Sequence, residues 1–289
     1  MTVGYGPLLR RDGPPPAARN NTLLQVAASM GLLITDDDGH WANGIALQGF
    51  PSDQANGFDP CGTGSNAVKV EGGDIALPEF GPVQVYFAET CTARVVGPDD
   101  QWFTTRATQG LAGTEEAAVE NVLATGGAVP ANPHLTDGNL NQLHGGTATN
   151  PVEGLALLEE QIGGTKKGGI IHATPATVSY WSWYRLIQEP TRQGELYTLS
   201  GTPVVCGYGY IGDTPDGSSG SLNSTEDWAF ATGPVKIWRE PAITIYPGTY
   251  KEALNRHTNN LTYRAERTYV VAWDGVLQAG VLIDRATKP

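Results

Sequence analysis

Few side chains in this sequence are placed as chemistry would need them. The five histidines, His40, His134, His144, His172 and His257, are scattered, and none belongs to the H-E-x-x-H pattern that puts two ring nitrogens on one helix face for a metal. His172 lies within the apolar run GGIIHAT (168–174), where a histidine satisfied inside the core is expected ahead of a base or a ligand. TDDDGHW (35–41) sets acids before a glycine as calcium loops do. It lacks the ligand pattern of such a loop and its closing Glu, so a solvated turn is expected. The oxygen-rich GDTPDGSSGSLNSTED (212–227) reads the same way. There is no G-x-S-x-G elbow, no P-loop and no G-x-G-x-x-G opening a helix, so the common hydrolase, nucleotide and dinucleotide sites have no footing. Cys61, Cys91 and Cys206 are odd in number and widely spaced, a poor disulfide framework that suits synthesis in a reducing cytoplasm. Tyr180, Trp181, Trp183 and Tyr184 could make a platform for a sugar, although so aromatic a helix is read first as core. Lys166, Lys167 and Asn259 carry side chains that a covalent link between chains could use, but no motif marks them. Catalytic, metal and cofactor-binding residues are all expected to be none.

What remains is charge carried on a strand. NNLTYRAERTYVVAWDGVLQAGVLID (259–284) alternates apolar and charged residues, turns at Asp274-Gly275 and finishes apolar. In an extended chain Arg264 and Glu266 share one face, while Arg267 points to the other with Tyr263, Ala265 and Tyr269. The segment is expected to form the closing strand pair of a sheet.

The elements around it are those of an α+β chain. Asn150, Pro151 and Glu153 form a capped helix start for NPVEGLALLEEQIGG, which Gly163-Gly164 should stop. A buried strand follows in GGIIHAT, and Thr174-Pro175 opens a second helix. GTEEAAVENVLATGG (113–127) reads as a helix capped by Thr114, with Val119, Val122 and Leu123 on one stripe. Trp102, Phe103 and Leu111 would extend it backwards, against the helix-weakening Gly110 and Gly113. A short helix fits within 21–35, and strands fit 82–96, 194–210 and most of 227–284. Residues 1–20 are Pro-rich and locally basic, an extended arm, and they lack the apolar run of a signal peptide. Residues 45–80 are dense in turn formers, a long excursion retaining Phe50 and Phe58 as anchors.

Composition limits the partners. Charged residues are only 17% of the chain, while Gly and Pro number 37 and 20, as expected if much of the surface is covered by other copies. The net charge of −12 argues against a protein that grips phosphates, and no stretch approaches a membrane span.

GGIIHATPATVSYW resembles the strand-then-helix step in the outer domain of tailed-phage major capsid proteins of the Hong Kong 97 type. GELYTLSGTPVVCGYG resembles their next strand pair, WAFATGPVKIWREPAITI their re-entry into the peripheral sheet, and 259–284 their closing strands. The resemblance runs in order over nearly the whole chain through diffuse motifs. It departs from the family in the glycine-interrupted spine helix, in an extended loop that is no obvious hairpin, and in having no scaffolding segment before the arm. It implies an α+β Hong Kong 97-like capsid fold: an N-terminal arm (1–40), an extended loop (41–81), a peripheral domain with the spine helix (82–130 and 228–289) and an axial domain (131–227). It implies no enzyme and no cofactor, but a structural protein of the virion, assembled in the cytoplasm of a bacterial host. Its partners would be further copies of itself, as hexamers and pentamers, with scaffold, portal and decoration proteins left open and packaged DNA nearby without sequence recognition. Arg10, Arg11, Phe50, Phe58, Arg264, Glu266 and Arg267 are then the candidates for subunit contacts. An encapsulin-like or minor virion shell protein is the alternative on the same fold. A β-rich hydrolase or carbohydrate-binding domain using Trp181, Trp183 and Tyr184 is the alternative from another class.

Overall fold

The computed structural model describes residues 13–17, 19–35, 39–47, 78–92, 100–127, 132–188, 195–210, 214–215, 222–258, 260–275 and 277–287. Along the chain run α1 (Leu23–Ser29), β1 (Leu33–Thr35), β2 (Ile45–Ala46), β3 (Glu79–Phe80), β4 (Val83–Thr92) and α2 (Asp100–Thr125). They are followed by β5 (Asn141–Gln142), α3 (Pro151–Thr165), β6 (Ile170–Ala173), α4 (Pro175–Trp183), β7 (Ile187–Gln188), β8 (Leu196–Thr198) and β9 (Pro203–Cys206). The chain continues through β10 (Glu226–Thr232), β11 (Val235–Arg239), β12 (Thr244–Tyr246), α5 (Tyr250–Ala253), β13 (Leu254–Asn255), β14 (Asn260–Trp273) and β15 (Gln278–Asp284).

Two sheets organise these elements. A six-stranded sheet has the order β1-β11-β14-β12, with β13 and β4 also paired to β14. A seven-stranded sheet has the order β5-β15-β10-β6-β9-β8-β7. The expected closing pair does not form: β14 and β15 follow one another in the chain but lie in different sheets. β15 pairs antiparallel with β10, from Glu226↔Asp284 to Thr232↔Gln278. β14 pairs with β11, from Val235↔Trp273 to Arg239↔Tyr269. The residues 228–289, expected together in the peripheral domain, are therefore shared between the sheets. The reason is packing: Gly280 admits Phe230 and Leu140 so closely that a Cβ there would meet both at 3.1 Å, and Ala279, Val281 and Ile283 are buried. With both faces covered, β15 belongs to a sheet with layers on either side.

The helix of 113–127 is longer than expected, running over Asp100–Thr125. Gly110 and Gly113 do not break it, because each is the point where something else lies against it. A Cβ at Gly110 would fall 2.4 Å from the Phe87 ring, and one at Gly113 2.2 Å from Pro16. Thr114 is an interior residue whose hydroxyl bonds the Gly110 carbonyl at 2.8 Å, as mid-helix threonines do. Phe103, Ala107, Leu111, Val119 and Leu123 form the buried stripe against Val85, Tyr263, Ala265 and Tyr269. Tyr263 stacks on Phe103 with ring centroids 5.2 Å apart, and its hydroxyl donates to Asp100 in the first turn of α2.

α3 starts as expected: the Asn150 side chain accepts from the backbone N–H groups of Val152 and Glu153. It passes through Gly163-Gly164 and ends at Lys166, in the left-handed conformation. Leu155, Leu158 and Ile162 pack on Ile171, Ala231, Val281 and Ile283. α4 is capped by Thr174. Trp181 is fully buried with its indole N–H on the Pro151 carbonyl, while Trp183 is 81% exposed. The aromatic group is thus split between core and surface, so a platform of Trp181, Trp183 and Tyr184 does not exist. His172 sits in the core with its ring nitrogens 3.0 Å from the Tyr210 hydroxyl and 2.9 Å from that of Thr232. Burial lowers its pKa to about 3, so it stays neutral.

Candidate assembly surface

β14 is the axis of the six-stranded sheet and divides its side chains strictly between two faces. On the inner face Arg267 meets α2. Its guanidinium donates to both oxygens of Glu115, at 3.2 and 3.0 Å, and the Tyr269 hydroxyl donates to the same carboxylate at 2.6 Å. Burial, then the neighbouring Glu115 charge, pushes the Tyr269 hydroxyl above its ordinary pKa. Arg267 is therefore an internal tie between helix and sheet, with 12% of its side chain exposed, and the contact expectation narrows to Arg264 and Glu266.

These two lie on the outer face. The Arg264 Nε is 2.8 Å from Glu266 Oε2, with the arginine side chain 47% and the glutamate 9% exposed. The strand register brings neighbours from both sides: Arg264 pairs with Ala88 of β4 and Tyr246 of β12, and Glu266 pairs with Tyr86 and Thr244. The Arg264 guanidinium lies 5.8 Å from the Tyr86 ring centroid and 5.7 Å from that of Tyr246, at the outer reach of cation–π attraction. Both rings are open to solvent, at 63% and 49%. Two tyrosines and a half-exposed arginine, set in small or uncharged neighbours (Ala88, Thr90, Thr262), make the composition of an interface core. Among the described residues β4 is hydrogen-bonded to β14 alone, so its other edge is unpaired. Tyr86 and Tyr246 were not singled out from the sequence. Alternation within 82–96 would have put Tyr86 on a polar face, but only the register shows that it meets Tyr246 across Arg264. The other expected contact residues, Arg10, Arg11, Phe50 and Phe58, lie outside the described residues.

A second polar junction also escaped sequence reasoning. Glu120 of α2 is fully buried. One of its oxygens accepts the Leu23 N–H at the start of α1, at 3.1 Å, and the other accepts the Tyr208 and Gly209 N–H groups, at 2.8 and 3.0 Å. Arg19 covers this junction by lying 3.7 Å over the Tyr208 ring. Burial raises the Glu120 pKa to about 7 against the pull of the three N–H donors. No group of His, Cys, Asp and Glu that could hold a metal occurs among the described residues. The 480 Å³ cavity beside β2 and β3, lined by Asn43, Ile45, Glu79, Phe80 and Asn132, gathers no catalytic set.

No family model matches the sequence, and no curated protein matches it. Similar solved structures exist. One is the holo-SrpI encapsulin complex from Synechococcus elongatus PCC 7942, 12% identical, with a TM-score of 0.52 over 97% of this chain and 96% of that one. Two others are a chain of Mycobacterium phage Che8, 12% identical with a TM-score of 0.48 over 100% of both chains, and one of Mycobacterium phage Cain, 13% identical with a TM-score of 0.49 over 100% and 96%. Burial patterns tolerate such divergence when core volume and alternation are kept. Matched to the encapsulin over nearly the whole of both chains, with the long helix α2 packed along β4 and β14, the chain has the Hong Kong 97-like α+β fold.

Proposed function

We propose that this chain is a major capsid protein that assembles with further copies of itself into the icosahedral head shell of a tailed bacteriophage and encloses its DNA. The observation that carries the reading is the likeness to an encapsulin shell subunit over almost the full length of both chains. The fold comes without a catalytic constellation among the described residues, and its outer sheet face has the make-up of a contact. The chain acts as structure, not as an enzyme, with a place in the virion and copies arranged as hexamers and pentamers. The domain division of arm, extended loop, peripheral domain and axial domain belongs to the same proposal, with β10 and β15 moved to the axial sheet. The net charge of −12 suits a wall beside DNA that it does not grip. No helix among the described residues is long and apolar enough to cross a membrane.

The encapsulin likeness also favours a second reading, a compartment shell without nucleic acid. Negative-stain microscopy of the purified full chain tests both. Closed icosahedral particles are expected, and a protein that stays monomeric at every concentration tried would overturn the shell reading. Particles produced with the remaining phage structural proteins should hold nuclease-protected DNA. Particles that never do so favour the compartment.

A further inference from the structure

The guanidinium of Arg264 lies between an ion-pair partner on its own strand and tyrosines on the two neighbouring strands. Its Nε is held by Glu266 at 2.8 Å, and the Tyr86 and Tyr246 rings flank it at 5.8 and 5.7 Å. Neither terminal nitrogen has a hydrogen-bond partner among the described residues. With its Nε side beside Glu266, this half-exposed guanidinium keeps its terminal N–H donors available, and a guanidinium edge takes a carboxylate by two bonds. The fixing of rotamer-rich side chains before binding reduces the entropy lost on contact. Within the subunit this arrangement neutralises Glu266 but leaves the outer edge of the arginine unused.

Resting on the shell reading, we propose that Tyr86, Arg264 and Tyr246 form a socket that receives an aspartate or glutamate side chain from a second copy of this chain. Charge complementarity selects the occupant. The chain carries 30 acids against 18 Lys and Arg, so carboxylates are what another copy offers in excess, and a phosphate-bearing partner would be repelled by the net charge of −12. Glu266 neutralises one side of the guanidinium and leaves the outward side for the incoming group. The incoming subunit would cover the two exposed rings and exclude water from the pair, which strengthens it beyond a rim contact.

The test uses the full chain and three variants: Arg264→Lys, Arg264→Glu and Arg264→Ala. Particle yield is read by sedimentation, and subunit folding by thermal unfolding of the unassembled protein. Arg264→Glu sets a like charge beside the nearly buried Glu266 and is compared at a temperature where its unassembled subunit is still folded. There it is expected to lower particle yield about tenfold or more, since reversing a charge at a desolvated contact weakens it by at least that factor. Arg264→Lys places a reactive amine in the socket. Zero-length carbodiimide coupling of assembled Arg264→Lys should give a link between subunits that mass spectrometry maps from position 264 to an Asp or Glu, over the background of links from the native lysines that wild-type and Arg264→Ala particles also give. If Arg264→Lys forms no particles although its subunit is folded, the fork geometry is required, which also supports the socket. Wild-type particles together with Arg264→Ala assembling normally, or with a coupling product confined to Glu266 of the same chain, overturn the socket and leave the shell reading standing. A wild type that never assembles removes both.

Discussion

Two arginines three residues apart on β14 should behave as opposites. Removing the half-exposed Arg264 side chain leaves Glu266, 9% exposed, without its ion-pair partner and should lower subunit stability by about 1 to 3 kcal/mol. Glu115→Ala leaves Arg267 charged and buried and the Tyr269 hydroxyl unpaired, which should cost about 3 to 5 kcal/mol. Denaturant unfolding of the unassembled subunit measures both, and equal losses would contradict this assignment of faces. Glu120 gives a pH signature. Its folded pKa is raised from 4.5 to about 7, so the stability it contributes is present below the lower value and lost as pH rises through the upper one. His172 acts with the opposite sign: its pKa is lowered from 6.5 to about 3, so its contribution is lost as pH falls below the ordinary value. The two partly cancel in acid. The measurement is therefore the difference between wild-type and Glu120→Gln melting temperatures, which should fall steadily from about pH 5 to pH 8. A flat difference would mean that Glu120, with Glu116, Arg19 and Cys206 around it, does not titrate there. The faces of Arg264, Glu266 and Arg267 were legible in the sequence because a strand alternates with a fixed period. Glu115 was within reach too, since it continues the four-residue spacing of Leu111, Val119 and Leu123. The partners of Glu120 were not, because Leu23, Tyr208 and Gly209 lie roughly ninety residues away.

At the scale of elements, local signals located what local forces decide. The Asn150 cap, Pro151 and the stripe of α3 stood out, and so did Thr174 at the start of α4. The front half of α2 did not, because Gly110 and Gly113 are weak helix formers placed for distant neighbours, Phe87 and Pro16. That predicts two different outcomes for two similar substitutions. Gly110→Ala should lower stability by about 1 to 3 kcal/mol through overpacking against Phe87, even though alanine alone would favour the helix by about 1 kcal/mol. Gly113→Ala should leave the melting temperature nearly unchanged and instead displace the arm segment around Pro16, read as faster limited proteolysis before α1. If both variants melt alike, the arm is as firmly packed as β4. The separation of β14 from β15 was also hidden, since a turn at Asp274-Gly275 looks the same whether the strands on either side pair with each other or pass into different sheets.

For the whole molecule, the two sheets share one core. Buried residues of α2 belong to one cluster with Val85, Tyr263 and Val270 of the six-stranded sheet and with Phe230, Val205 and Tyr210 in or beside the seven-stranded one, whose other face packs on α3 in a second cluster. The unassembled subunit is therefore expected to unfold in a single calorimetric transition whose calorimetric and van't Hoff enthalpies agree. Two resolved transitions would show that the sheets are independent domains. Besides the long passage from β4 to β5, the chain goes from sheet to sheet twice by short links: β10 continues into β11 through Gly233-Pro234, and β14 into β15 after Asp274. β10 with β15 and β11 with β14 are thus one antiparallel ribbon whose ladder is interrupted where the Lys167 ammonium meets Asp274 at 2.9 Å. A ribbon interrupted along one line can bend about that line more easily than it can slide or twist. A surface tiled from such pieces can take up curvature by the same small fold in every tile, with no ladder hydrogen bond broken in either sheet.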